Sequence, residues 1–295
     1  MEIRQLKLTD FYALRDLLDG VFSRKYGRET RFAPMFPRFF AEPNEYCTSS
    51  HYGAFDGDRL IGTAAMYLMD YVVGGVHIKL IGNGNVAVHE DYRGQGVMMN
   101  LLWKINEECD KVGDVGYLHG KVDRYAKVGY IPGGVQYQCT FAPGEANGYE
   151  FVAMLPEEAA WHMACAAKRS DYLLRAEKDF IPALRSQSRE PISIFKNGTM
   201  VGYLSLARSS GAVEEFAIGN EDEVSAFRAL AGELAKPVTV RLSGYDVKTL
   251  ARVKDFSEVK QSEPAQFRII NAEPLKAGAR ALGLDENVIY APYLT

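Results

Sequence analysis

The segment Val86–Met98, with the sequence VAVHEDYRGQGVM, decides the fold of this chain. An apolar strand end leads through a turn with one arginine and two glycines into a helical pattern. A helix N-terminus presents unpaired N–H groups and the positive end of the helix dipole, which together bind anions. Glycine lets the main chain approach an anion closely, and Arg93 adds a permanent charge with a planar fork for phosphate oxygens. The segment therefore predicts a phosphate-binding strand–turn–helix.

Other phosphate motifs do not account for this turn. The sequence contains no GxxxxGK[ST], and no GxGxxG follows the first predicted strand with an acidic residue at the expected distance. A plain tight connection with a solvated Arg93 is the simple alternative for an isolated RGxG. The elements around the turn decide between these interpretations.

The pattern on both sides of the turn predicts alternating strands and helices. A hairpin is indicated by the Asp56–Arg59 turn between apolar runs, and residues 97–112 carry apolar side chains at helical spacing. The predicted elements of the first half are strands over 2–8, 51–55, 60–71, up to 81, 86–88, 115–119 and 136–141, with helices from residue 11, over 97–112 and around 123–127. Residues 27–50 are predicted as short helices and loop.

The second half repeats much of this order. Its predicted elements are a helix over 157–168, a hairpin of 192–195 and 200–207, a strand over 213–218, a helix over 222–234 and a strand over 238–242. Phe195 precedes Gly202 across a turn, as Phe55 precedes Gly62, which indicates a tandem duplication. A length of 295 residues also favours two domains, and the Pro- and Gly-punctuated stretch 142–148 places the boundary between 1–145 and 146–295.

Composition limits the function. The net charge of −4 argues against nucleic-acid binding, which needs a concentrated basic face. The four cysteines stand far apart in no metal-binding or redox spacing, so we expect free thiols and no metal. No run of about 18 apolar residues spans a membrane, and no signal peptide is recognisable, so the expected compartment is the cytoplasm.

Two motifs resemble the GNAT superfamily, the Gcn5-related N-acetyltransferases. The family signature Q/R-x-x-G-x-G/A is matched by Arg93, Gly96 and Met98, although Met98 is bulkier than the small residue usual there. Downstream, Tyr125–Tyr130 reads YAKVGY and resembles the family's Y-x-K-x-G-F/Y segment. The resemblance covers about residues 51–141. It implies an α/β (α+β) fold of two tandem GNAT-like domains, each with a mixed, mostly antiparallel sheet flanked by helices, the second domain being degenerate.

More narrowly, the chain is similar to the tandem-GNAT group typified by the enhanced-intracellular-survival acetyltransferases, in which bulky residues also replace the last small residue of the signature. Those enzymes carry a third, sterol-carrier-like domain with a catalytic C-terminal carboxylate. The sequence ends at Thr295, and we expect no such domain here. Neither that base nor aminoglycoside specificity is carried over.

The resemblance implies roles for the two motifs and transfer of an acetyl group from acetyl-CoA to a primary amine by direct attack. The residues expected to hold the pantetheine arm are Val86, Ala87 and Val88, and those expected to enclose the pyrophosphate are Arg93, Gly94, Gln95, Gly96, Val97 and Met98. Tyr125 matches the general-acid position, because a phenol with a pKa of ~10 stays protonated at neutral pH and can donate to the leaving thiolate.

An amine with a pKa of ~10.4 is almost fully protonated at pH 7, so a base or a water relay should assist. His119, at the end of a predicted strand, is the first candidate base, ahead of His51, His89 and Glu90. A packed structural role is the alternative for His119, and a core-anchoring role is the alternative for Tyr125.

The second half is predicted to bind no CoA. Carboxylates stand at 221–223, where the first half has arginine and glycines, and they repel pyrophosphate. This half is expected to wall the acceptor pocket or to form a homo-oligomer interface. Two other functions stay open: a non-catalytic GNAT-like protein that binds a CoA ester or another ligand, and an interaction module with an accidental RGxG. The acceptor, a small amine, an aminoglycoside or a peptide amine, is not defined by the sequence. Its pocket is expected beside residues 27–50 and the hairpin 71–79.

Overall fold

The computed structural model describes residues 1–263 and 265–291. Its strands are β1 (Glu2–Gln5), β2 (His51–Asp56), β3 (Arg59–Val73), β4 (Val76–Val88), β5 (Val115–Leu118), β6 (Ile131–Gly133), β7 (Gln136–Phe141), β8 (Tyr149–Ala153), β9 (Asp171–Leu174), β10 (Glu190–Lys196), β11 (Thr199–Ala207), β12 (Ala212–Ile218), β13 (Val238–Ser243), β14 (Glu258–Ser262) and β15 (Ala265–Ile269). Its helices are α1 (Phe11–Tyr26), α2 (Phe32–Met35), α3 (Pro37–Phe40), α4 (Glu45–Ser49), α5 (Val97–Val112), α6 (Val122–Tyr125), α7 (Ala159–Ala166), α8 (Glu177–Leu184), α9 (Glu223–Glu233), α10 (Val247–Val253) and α11 (Glu273–Ala281).

The chain divides into two compact units. The first comprises residues 1–70, 78–132 and 265–272, and the second comprises the described residues of 71–77, 133–264 and 273–295. The boundary predicted at 145/146 stays a prediction about domains. Each unit contains one large sheet.

The sheet of the first unit has the order β1-β2-β3-β4-β5-β15-β6. The pairs β1–β2, β2–β3 and β5–β15 are antiparallel, whereas β4–β5 is parallel. Alternate residues of the strands point to opposite faces of the sheet. Phe55 and Leu60 pack with α1, while Ala54 and Ile61 pack with α5. Gly62 brings α5 close to β3, since an added Cβ would lie 2.9 Å from Val97 Cγ1.

The sheet of the second unit has the order β14-β7-β13-β12-β11-β10-β8. Its β12–β13 pair is parallel, like β4–β5, and its other pairs are antiparallel. The buried core of this sheet includes residues of α9, among them Phe227 and Leu230. The second unit therefore repeats the layout of the first.

The repeat extends to a local irregularity. In the first hairpin Ala54 pairs with Gly62 and Phe55 with Leu60, with a register shift between Ala54 and Phe55. In the second hairpin Ile194 pairs with Gly202 and Phe195 with Met200, with the shift at the equivalent place. A bulge at matching positions supports the tandem duplication predicted from the Phe-to-Gly spacing.

One strand assignment from the sequence was wrong. Residues 136–141 form a strand as predicted, but β7 lies between β13 and β14 in the second sheet instead of closing the first. In the first sheet the equivalent position beside β5 is filled by β15, which follows β14 in the chain. Strand patterning identifies a strand but not its partners, because the partner depends on distant residues.

Candidate active site

The glycine-bearing turn joins β4 to α5 through an exposed loop. Gly94 and Gly96 have φ angles of +77° and +79°, a region that favours glycine, and Gly96 is the N-cap of α5. A Cβ built on Gly94 meets nothing within 4 Å, so the main chain there faces open space. Arg93, Gly94, Gln95 and Gly96 are all exposed.

The main-chain donors of this turn are free. Among residues 1–263 and 265–291, none accepts a well-formed hydrogen bond from the N–H groups of residues 94–99, whereas Asn100 N–H already bonds Gly96 C=O at 3.1 Å. Exposed donors at the start of a 16-residue helix form an anion-binding arrangement. The geometry suits a pyrophosphate group.

The turn carries a positive charge that the protein does not neutralise. The side chain of Arg93 makes no ion pair or hydrogen bond with the described part of the chain. The nearby carboxylates are occupied: Glu90 lies 3.3 Å from Arg24, and Asp91 lies 3.9 Å from Arg59. An arriving anion therefore meets a guanidinium that has not been neutralised by the protein.

The end of β4 extends past its partner strand. The β4–β5 register covers Leu80–Gly82, while β4 continues to Val88. Side chains of Val86 and Val88 belong to the α5 face, and Ala87 is buried on the α1 face. Main-chain groups along this strand end are suited to bind the amides of a pantetheine arm.

Tyr125 lies beside these elements. Its ring shares an apolar cluster with Val86, Met98 and Met99, so the structure brings together the predicted pantetheine strand, the phosphate turn and the predicted acid. Burial raises the pKa of Tyr125. Its hydroxyl bonds no described residue, which leaves it available to a ligand. Gly120 makes room for the ring, since a Cβ there would lie 2.2 Å from Tyr125 Cε2.

His119 occupies a different setting. It is exposed just after β5, its Nε2 lies 2.6 Å from the hydroxyl of Tyr117, and its ring packs edge-on against that tyrosine. The structure gives no hydrogen bond between His119 and Tyr125. Its proposed role as a base stays a prediction.

A polar network that the sequence interpretation missed lies on the other face of β4. Asn85, with φ of +51°, contacts Tyr67 and the fully buried His51. The residue pattern Asn83-Gly84-Asn85 inside an apolar strand was the available signal, because glycine and asparagine in a strand mark irregular backbone.

In the second unit, two carboxylates occupy the N-terminus of the equivalent helix, α9. Asp222 accepts hydrogen bonds from Lys196 and Tyr149, and Glu223, almost fully buried, binds Arg252. Burial acts to raise the pKa of Asp222, but these hydrogen bonds outweigh it and hold the pKa at about 2. The permanent negative charge at this position disfavours a second phosphate site.

The described residues contain neither a candidate membrane span nor a candidate metal cluster. Within residues 1–263 and 265–291, no helix has the length and apolarity needed to cross a bilayer. The same residues contain no group of three His, Cys, Asp or Glu side chains that could hold a metal ion.

Comparison with known proteins shows what the chain is similar to. Residues 2–132 match the family model of the acetyltransferase (GNAT) domain. This match agrees with the resemblance that the two motifs indicate. No curated protein matches the sequence.

Solved structures extend the likeness over nearly the whole chain. A GCN5-related N-acetyltransferase from Kribbella flavida is 19% identical, with 94% of this chain and 73% of that one covered and a TM-score of 0.69. A probable N-acyltransferase from Enterococcus faecalis is 16% identical, with 93% and 74% covered and a TM-score of 0.68. Eis1 from Mycobacterium abscessus is 15% identical, with 94% and 76% covered and a TM-score of 0.58. At these identities the likeness concerns the fold, and it confirms the predicted fold class and the similarity to the tandem-GNAT group.

Proposed function

We propose that this protein is an N-acetyltransferase that moves the acetyl group of acetyl-CoA to a primary amine by direct attack. The observation that carries the proposal is the row of unpaired N–H donors at residues 94–99 with the free Arg93 beside it. The GNAT domain over residues 2–132 supports acyl transfer as the reaction class. Acetyl-CoA would supply the thioester carbonyl.

In the proposed reaction, residues of this chain bind the cofactor, orient its thioester and donate a proton. The turn 93–98 holds the pyrophosphate, and the main chain of 86–88 aligns the pantetheine arm. The amine nitrogen forms a bond to the carbonyl carbon, and the carbon–sulfur bond breaks as the amide forms. Tyr125 donates its proton to the leaving sulfur, and its raised pKa keeps it protonated until then. The proton lost by the amine passes to His119 or to water.

The proposal includes one donor site per chain and a cytoplasmic location. The carboxylates at Asp222 and Glu223 support a second unit that binds no CoA. All four cysteines are buried free thiols, which agrees with a reducing compartment.

A thiol-release assay tests the function. Purified protein is mixed with acetyl-CoA and a panel of primary amines, and free CoA is followed with a chromogenic thiol reagent. We expect amine-dependent release of CoA with stoichiometric N-acetyl product by mass spectrometry. Tight acetyl-CoA binding without transfer to any amine would instead support the non-catalytic ligand-binding protein, which the bulky Met98 and the absence of an evident base favour.

A further inference from the structure

The polar network of Asn85, Tyr67 and His51 forms where the regular backbone of β4 is interrupted. Asn83 lies on the α5 face, where its amide oxygen accepts from Tyr130 at 2.5 Å. Regular alternation would place Asn85 on the same face. The positive φ of Asn85 reverses this, and its side chain instead donates to Tyr67 Oη at 2.7 Å and lies 3.1 Å from His51 Nε2.

The ring of His51 fixes the orientation of the Asn85 amide. His51 Nδ1 lies 2.7 Å from the carbonyl oxygen of Cys47, which only accepts, so Nδ1 carries the hydrogen. Burial lowers the pKa of His51 to about 4, so the ring is neutral and Nε2 is an acceptor. Because Nε2 of His51 accepts a hydrogen bond, the Asn85 group that faces it must be the NH₂ donor. The amide oxygen must therefore point away from His51.

That oxygen is without a partner in the described part of the chain. Asn85 is half-buried and immediately precedes Val86, the first residue of the strand end assigned to the pantetheine arm. The free acceptor therefore lies next to the place where the thioester would be aligned.

An aromatic surface borders the same network. The ring of Phe39 lies 5.0 Å from that of Tyr67 and stacks on Tyr46 at 5.9 Å. The guanidinium of Arg38 covers Phe39 and Tyr46 at 5.0 and 5.6 Å from the ring centres. These rings can pack against the apolar part of a ligand. The Arg38 guanidinium, which already covers two of them, disfavours a ligand with several positive charges.

We propose that Asn85 and this aromatic surface form the acceptor subsite, with the Asn85 amide oxygen accepting an N–H of a primary monoamine that has an apolar body. His51 and Tyr67 are positioning residues that hold the amide in the required orientation. The inference rests on the proposed function and adds the class of acceptor. No covalent step involves these residues.

The test uses 2-phenylethylamine and spermidine as acceptors with acetyl-CoA. We expect the wild type to prefer 2-phenylethylamine. Asn85→Ala should lower kcat/KM for that amine by about tenfold or more while acetyl-CoA affinity, measured by calorimetry, stays unchanged. His51→Ala should show the same loss, and His51→Gln should restore most of it, because glutamine can place an amide oxygen where the ring places Nε2. Asn287→Ala, at an exposed position of the second unit, is the control.

The outcomes separate the two proposals. Wild-type turnover with spermidine but not with 2-phenylethylamine, or an unchanged kcat/KM in Asn85→Ala, overturns the subsite and leaves the enzymatic function standing. Equal losses in His51→Gln and His51→Ala, with lowered acetyl-CoA affinity in both, show a structural role only and also overturn it. Acetyl-CoA binding without acetylation of either amine removes the proposed function and the subsite with it.

Discussion

Two tyrosines five positions apart differ in burial and in hydrogen bonding. Tyr125 is half-buried, with a hydroxyl that bonds no described residue, whereas the fully buried Tyr130 donates to Asn83. A hydroxyl without a protein partner beside a ligand site favours a role in the reaction. A buried hydroxyl that is hydrogen-bonded favours a role in stabilising the fold. We therefore propose a catalytic role for the first tyrosine of the motif and an anchoring role for the second.

Phenylalanine substitutions should distinguish these roles. Tyr125→Phe is expected to lower kcat by about 100-fold or more without changing stability, since general acids contribute 10² to 10⁴. Tyr130→Phe should lower the free energy of unfolding by about 1 kcal/mol while turnover stays within a few-fold. Steady-state kinetics and urea unfolding of both variants check this. A Tyr125→Phe enzyme within threefold of the wild type would exclude the acid role.

A buried carboxyl in the second unit predicts a pH effect on stability. Burial raises the pKa of Asp171 to about 6, although Tyr71 and Ser243 donate hydrogen bonds to it. Because the folded pKa lies above the unfolded value, this group stabilises the fold at low pH, and the contribution is lost as pH rises through 6. Between pH 5 and pH 8 the wild type should lose about 1 kcal/mol relative to Asp171→Asn. Urea unfolding at both pH values measures the difference, and parallel curves for the two proteins would contradict the assignment.

At the scale of elements, some local patterns predicted their elements correctly, whereas the first strand, predicted over 2–8, ends at Gln5. Helix α5 begins at Val97 and ends at Val112 as predicted, because its apolar spacing and its glycine boundary are local. The turn at Gly57 also lies where the Asp-Gly pair predicts it. Long-range features were not accessible: the partner of β7 depends on residues about a hundred positions away, and β15 was not predicted at all.

β15 gives the first unit a contribution from a distant part of the sequence. Gln266 donates to the carbonyl of Gly120 at 2.7 Å, just before α6, and Arg268 forms a two-pronged ion pair with Asp110. Without β15, β5 would be an unprotected edge strand, which favours aggregation.

Truncation after residue 145 tests this dependence. The shortened chain keeps the predicted first domain but lacks β15. We expect aggregation or a loss of cooperative unfolding, and no measurable acetyl-CoA binding. Size-exclusion chromatography and thermal unfolding provide the measurement. A monomeric, cooperatively folded fragment with full acetyl-CoA affinity would show that β15 is dispensable.

At the scale of the whole molecule, one fold is used twice with different chemistry. Both units have the parallel strand pair and the following helix, but only the first presents glycines and a free arginine at the helix start. In the second, Asp222 and Glu223 are tied to Lys196 and Arg252. The sequence indicated this asymmetry because it depends on residue type at one turn. The proposed acceptor subsite could not be inferred in the same way, because Asn85, Tyr67 and His51 meet only in the folded sheet.

Calorimetric titration of the full chain with acetyl-CoA tests the central claim most directly. We predict one site per chain and, at a ligand concentration of 100 Kd, a stabilisation of about 2.7 kcal/mol in parallel thermal unfolding. Arg93→Ala should weaken binding by about tenfold or more, since hydrogen bonds to charged groups contribute about 1.5–3 kcal/mol, whereas Arg15→Ala on α1 should not. No binding, two sites per chain or an unchanged affinity in Arg93→Ala would contradict the account.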